Sequence, residues 1–342
     1  MHSAFRTTAI VVLLAFIYPV KAGEPVADIP NVHKLQSPGT PCYFCKPFSI
    51  YWPPEPFSPV DSSSITIPFI RAGNLIIIQA KADTLEGNFI LDTGAPKLVL
   101  NTTYFRDYLS TSDHTDIEES GGITGTTRNE GAIRINEFSI GPFKYYQTEA
   151  DRVNLGHIED SKGVKILGLL GMQLFRRFEM IIDYENNLLH LHLISRKEGS
   201  SYAHEMLRDT SAYNTFPITV TEDKIMTYIV VAGKKLTFII DTGAESNVLD
   251  SRLPDKIFEN VTITRKVVLR GSGNAKVDAL YGEMKNTKIG SRDIDSLPVL
   301  VTNLERMCKS YERCLDGMLG FDFLSLHKIG FNFVTRKMYL WK

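Results

Sequence analysis

Phe89-Ile90-Leu91-Asp92-Thr93-Gly94-Ala95 returns 149 residues later as Phe238-Ile239-Ile240-Asp241-Thr242-Gly243-Ala244. An apolar strand that ends in Asp-Thr-Gly delivers one carboxylate on a tight turn. Two such turns facing each other make a carboxylate pair that can activate water. The same offset aligns Pro68 with Pro217, Ile140-Gly141 with Ile289-Gly290, and Gly168-Leu169-Leu170-Gly171 with Gly317-Met318-Leu319-Gly320. It also matches Asp183 to Asn332 and Leu191 to Leu340, so a small domain's worth of sequence is duplicated without net insertion. The period far exceeds that of solenoid units, which predicts two globular lobes related by an internal two-fold.

The chain has 342 residues, 43% of them apolar, enough to bury two such cores. Net charge is −1 with Lys and Arg scattered, which argues against a nucleic-acid stripe or a polybasic membrane patch. Residues 1–22 have the form of a secretory signal: Arg6, an apolar run over 7–20, then Val20-Lys21-Ala22 as the cleavage site. The mature protein is therefore expected to be secreted or periplasmic. No later stretch is apolar enough for an integral membrane span. In an oxidising compartment the close pairing of the four cysteines predicts structural disulfides Cys42 with Cys45 and Cys308 with Cys314. A zinc site would need a second ligand pair of suitable spacing, so no metal is expected. His190 and His192 share one face of a strand pattern, which reads as a solvated face. The Asn-X-Thr sequons at Asn101 and Asn260 matter only in a eukaryotic secretory pathway.

Nine of the 16 prolines fall between Pro25 and Pro59, so residues 23–63 read as an extended segment, either a linker into lobe one or a strap over the cleft. Lobe one then covers 64–194, a polar linker 195–212, and lobe two 213–342. In lobe one the short β-branched runs 65–70, 75–81, 88–91, 132–135, 144–150, 180–184 and 188–193 read as strands. Glu185-Asn186-Asn187 is a hairpin turn signal, with Thr335-Arg336-Lys337 in its place in lobe two. Helix is expected in this lobe only at 103–109 and 172–175. The linker lacks periodicity. The fold class is all-β.

The doubled apolar-apolar-Asp-Thr-Gly-Ala motif, a Gly-rich segment some 30 residues on, and Ile166-Leu167-Gly168 ahead of a closing hairpin resemble the retropepsin-like aspartic peptidases. Two fused lobes in one chain also resemble the pepsin arrangement. The Gly-Met-Gln-Leu-Phe-Arg-Arg-Phe run from Gly171 and the later Ile-Asp-Tyr-Glu-Asn resemble the bacterial type. The resemblance implies two tandem acid-protease lobes of the closed β-barrel kind, with Asp92 and Asp241 as the catalytic dyad. Like charges that close share a proton, so one acts as base and the other as acid on a peptide bond, without a cofactor.

Thr93 and Thr242 are implied to bond across the two-fold to the opposite turn. Gly94 and Gly243 permit close backbone approach and leave amides free for the carboxylates, and Ala95 and Ala244 line the cleft floor. Gly-rich tips at Gly121, Gly122 and Ile123, and at Gly271, Ser272 and Gly273, are implied to be two flaps closing over substrate. After the motif, viral members carry an Asp that holds substrate backbone. Here Pro96 and Glu245 stand, which implies asymmetric peptide binding. The implied partner is a polypeptide substrate, and one chain that holds both lobes is expected to be a monomer. The alternative reading is an inactive retropepsin-like peptide-binding or inhibitory module.

Overall fold

The computed structural model describes residues 55–58, 63–111, 119–122, 125–199, 201–221, 224–270, 276–305, 307 and 314–342. The signal reading, Cys42, Cys45, Cys308, Ile123, Gly271, Ser272 and Gly273 lie outside them. Among the described residues the chain is built almost wholly of strands in three sheets.

In the first lobe the strand Leu75–Ala82 is buried on both faces over its first half. Ile76, Ile78 and Ala80 point into the main apolar core, and Leu75 and Ile77 into a smaller cluster that also holds Ala95 and Val99. From it the sheet runs through Leu85–Leu91, Gly168–Leu170, Val99–Asn101, Phe143–Val153 and Gly125–Ile140. It then closes on itself where Lys81 pairs with Ser139 and Ala82 with Phe138. The second lobe repeats this closure, with Val230 against Lys288 and Val231 against Thr287. Here the last strand is broken into Lys276–Met284 and Thr287–Ile289 around Asn286, whose φ is +51°. No helix among the described residues is long and apolar enough to cross a membrane.

A six-stranded sheet joins the lobes, in the order Ser64–Pro68, Leu188–Leu193, Phe178–Asp183, Ile329–Asn332, Lys337–Trp341, Tyr213–Pro217. Its central seam pairs Met180 with Phe331, Ile181 with Gly330 and Ile182 with Ile329. Exchanging the lobes along the repeat turns the first of these pairs into the third and leaves Ile181–Gly330 unchanged. The pseudo-two-fold therefore passes through that pair. The hairpin turns expected at 185–187 and 335–337 are present, with Asn187 and Arg336 at φ +53° and +55°.

Four readings are corrected. Residues 132–135 are part of a long strand, Gly125–Ile140, whose polar first half pairs with Glu119–Gly122 and shows no apolar alternation. A helix, Gly156–Lys162, was not expected, since it lacks a side-chain N-cap and buries only Ile158. The helix expected over 103–109 is shorter, Thr102–Phe105, capped by the Asn101 side chain. His190 and His192 are buried, not solvated, because the linker covers them. That linker carries a turn of 3-10 helix, Glu205–Leu207, with Leu207 buried.

Candidate active site

Each motif sits where an apolar strand leaves its barrel. Leu91 runs parallel to Leu170 and Ile240 to Leu319, so the amides of Asp92 and Asp241 donate to Leu170 O and Leu319 O at 3.1 and 2.9 Å. The turns that follow curl their own amides back onto the carboxylates. Asp92 Oδ1 accepts from Gly94 N at 2.9 Å and Ala95 N at 3.0 Å. Asp241 Oδ1 accepts from Gly243 N at 2.8 Å.

The two turns are locked by their threonines. Thr93 N donates to Thr242 Oγ1 and Thr242 N to Thr93 Oγ1, both at 3.0 Å. The hydroxyls pass the chain on, Thr93 Oγ1 to Ile240 O at 3.0 Å and Thr242 Oγ1 to Leu91 O at 2.8 Å. A Cβ on Gly94 would lie 2.5 Å from Asp241 Oδ2, and one on Gly243 would lie 2.6 Å from Asp92 Cγ. Each glycine thus passes against the opposite carboxylate, and only a residue without a side chain fits. Ala95 and Ala244 are fully buried, each in the small apolar cluster of its own lobe.

Asp92 and Asp241 are both wholly buried, and Oδ2 of each takes no bond from any other residue. What remains for these two oxygens is one another and a reactant. Burial holds the Asp92 carboxyl well above the usual carboxylate range, and the charge of Asp241 raises it further. Burial also raises Asp241, opposed by the Gly243 amide and by a hydrogen bond from Asp92. The pair therefore holds its proton more firmly than an isolated carboxyl would, and the proton belongs to the dyad as a unit.

The residues after the motifs differ. Glu245 does not reach into the cleft to hold peptide backbone; its carboxylate crosses to the other lobe. Oε2 accepts from Asn74 N at 3.1 Å and Oε1 pairs with Lys162 at 2.5 Å, both side chains nearly buried. Asn74 Nδ2 also donates to Glu245 O. Pro96 makes no such bridge, so the latch is one-sided. No local pattern marks Lys162 or Asn74 as partners of Glu245, which lies 83 and 171 residues away in the chain. Asn101 is buried and bonded to Glu159 and Ile166 O, so its sequon is a structural cap. Among the described residues no group of three or more His, Cys, Asp or Glu could hold a metal ion.

Of the flap residues, Gly121 and Gly122 lie on a hairpin arm in which Gly121 pairs with Thr126 and Gly122 with Gly125. The opposite arms, Val261–Arg270 and Lys276–Met284, pair with each other up to Arg270–Lys276.

No curated protein matches this chain. Among solved structures, basic 7S globulin from soybean is similar at 12% identity and a TM-score of 0.42, covering 81% of this chain and 94% of that one. Conglutin gamma from lupine seeds is similar at 13% identity and a TM-score of 0.45, covering 82% and 95%. The aspartyl protease family matches twice, over residues 78–174 and 227–323, each match spanning one Asp-Thr-Gly-Ala turn and the strand that receives it. Two matches in tandem, with a buried Asp pair where they meet, place this chain in the aspartyl protease family.

Proposed function

We propose that the protein is an exported aspartic endopeptidase, active as a monomer, that hydrolyses peptide bonds of extended polypeptides with a dyad formed in cis. The observation that carries this is the pair of wholly buried carboxylates, Asp92 and Asp241, whose Oδ2 atoms take no bond from any other residue. Asp241, as the carboxylate, takes a proton from water while the water oxygen attacks the peptide carbonyl carbon. Asp92 gives its proton to the carbonyl oxygen, and a tetrahedral gem-diol forms without a covalent adduct. Collapse breaks the C–N bond. The nitrogen leaves with the proton Asp241 had gained, and Asp92 recovers one from the gem-diol hydroxyl.

The two Gly-rich hairpins are suited to close over an extended chain and exclude water. Removal of residues 1–22 and pairing of Cys42 with Cys45 and Cys308 with Cys314 belong to the same reading. The test is incubation with an unbiased peptide library from about pH 3 to pH 7, with cut bonds read by mass spectrometry. Internal cuts that a pepstatin-like hydroxyl peptide suppresses are expected. Peptide binding without a cut at any pH would assign the chain to the inactive binding module instead.

A further inference from the structure

The face of the six-stranded sheet opposite Leu189 and Leu191 is polar, yet it is buried. His190, His192, Glu179 and Asn332 all lie on it and are at most 8% exposed. The cover is the linker between the lobes. Tyr202 stacks on His192 with ring centroids 3.4 Å apart, and Glu198 Oε1 meets His192 Nε2 at 3.2 Å. His204 N donates to Glu179 Oε1 at 2.8 Å, while Asn332 Nδ2 holds Glu179 Oε2 at the same distance. Tyr213 OH donates to Leu207 O at 2.9 Å and ties down the linker's far end.

One contact in this cover exists only while its ring is neutral, and a second ring is buried where a charge has no partner. His204 Nδ1 accepts from Met206 N at 3.2 Å, capping the turn Glu205–Leu207. An imidazolium has no acceptor, so protonation converts this cap into two opposed donors. His190 packs 5.6 Å from His204, with Nδ1 at 2.9 Å from Thr66 Oγ1. Its Nε2 is buried and has no partner. A second N–H on that ring would have nowhere to donate, and its charge would face His204.

We propose that the interlobe linker is a pH-released strap, held against the six-stranded sheet while His190 and His204 are neutral and expelled when acid protonates them. Burial holds His190, His192 and His204 all below the usual histidine range. The groups facing them do not cancel this. Asp183 and Glu205 favour a charged His190, but Asp183 is already paired with Lys328 at 2.7 Å, and both Lys328 and His204 oppose it. Glu205 favours a charged His204. Burial raises Glu179, so it loses its charge early on acidification and offers no late compensation. His192 is not the trigger, because its Nε2 already faces Glu198 Oε1 at 3.2 Å and protonation would strengthen that contact.

Because the folded values lie below the unfolded value of about 6.5, docking is at full strength above that pH and is lost as pH falls through the folded values. Release uncovers the seam that carries the pseudo-two-fold, where Asn332 Nδ2 holds Glu179.

The test is hydrogen exchange on the full chain at about pH 7.5 and about pH 5, corrected for intrinsic rates, read over 201–207 against Phe178–Asp183. Linker protection is expected to fall about tenfold or more with the core strand unchanged. The double variant His204→Asn, His190→Gln, in which an amide oxygen caps Met206 at every pH, is expected to stay protected at both. Histidine NMR titration of the unmodified chain should show the His190 and His204 rings changing at the pH of release. Equal linker protection at both pH values would overturn the proposal. So would release that persists in the double variant, or rings that titrate without it. None of these readouts depends on peptidase activity.

Discussion

Thr93 and Thr242 are bonded to each other twice, each amide to the other's hydroxyl at 3.0 Å. Each hydroxyl accepts one such bond and donates one to the opposite strand, so all four groups at the bottom of the site are satisfied across the lobe boundary. Thr93→Val would orphan the Thr242 amide and the Ile240 carbonyl, at about 1–3 kcal/mol each. We expect urea titration to show a loss of about 2–5 kcal/mol for Val, and under about 1 kcal/mol for Ser, which keeps both bonds. A Val variant as stable as the parent would show that the web contributes nothing.

Asp92→Asn and Asp241→Asn are each expected to lower peptidase turnover by about a hundredfold to ten-thousandfold or more. Each removes one half of a proton-sharing pair. The parent kcat/KM should be bell-shaped, falling on the acid side as the dyad gains a second proton and on the alkaline side as it loses its last. Undiminished turnover in either variant would remove that carboxylate from the chemistry.

The same pair makes a stability prediction of definite sign. Burial raises both carboxyls above their unfolded values, so their contribution is full below about pH 4 and is lost as pH rises through the folded values. Asp92→Asn should therefore unfold at a higher temperature than the parent near neutral pH, with the gain shrinking toward about pH 4. Calorimetry at the two pH values checks this, and a pH-independent difference would contradict it.

Lys162 and Glu245 form a nearly buried ion pair between the lobes. Lys162→Met leaves a buried carboxylate held only by the Asn74 amide, and should destabilise by about 3–5 kcal/mol. Adding Glu245→Gln should recover part of the loss, because no charge is then stranded. A double-mutant cycle in chemical denaturation measures the coupling.

Residues 59–194 expressed alone would expose Phe178–Asp183 as a sheet edge where Ile329–Asn332 now pairs. Sedimentation is expected to show dimers or aggregates of that half and a monomeric full chain. A soluble monomeric half beside a dimeric, active full chain would mean the dyad forms between chains.

The repeat places Asp92 and Asp241 in identical local settings. Strand alternation around Phe89–Leu91 and Phe238–Ile240, turn chemistry at Asn187 and Arg336, and the need for glycine beside each carboxylate are properties of a few neighbouring residues. All of these are legible along the chain. The helix Gly156–Lys162 was not, since it carries no capping side chain and its ties are to distant residues, Glu159 to Asn101 and Tyr104 and Lys162 to Glu245 of the other lobe. The burial of His190 and His192 was not either: alternation puts them on one face, but what covers that face is a polar linker with no period of its own. Local backbone preference and period-two patterning act between near neighbours and so survive in sequence. The Glu245 latch, the neutral histidine contacts and the elevated dyad depend on which distant groups exclude water from a charge, and that is settled only when the two lobes close on each other.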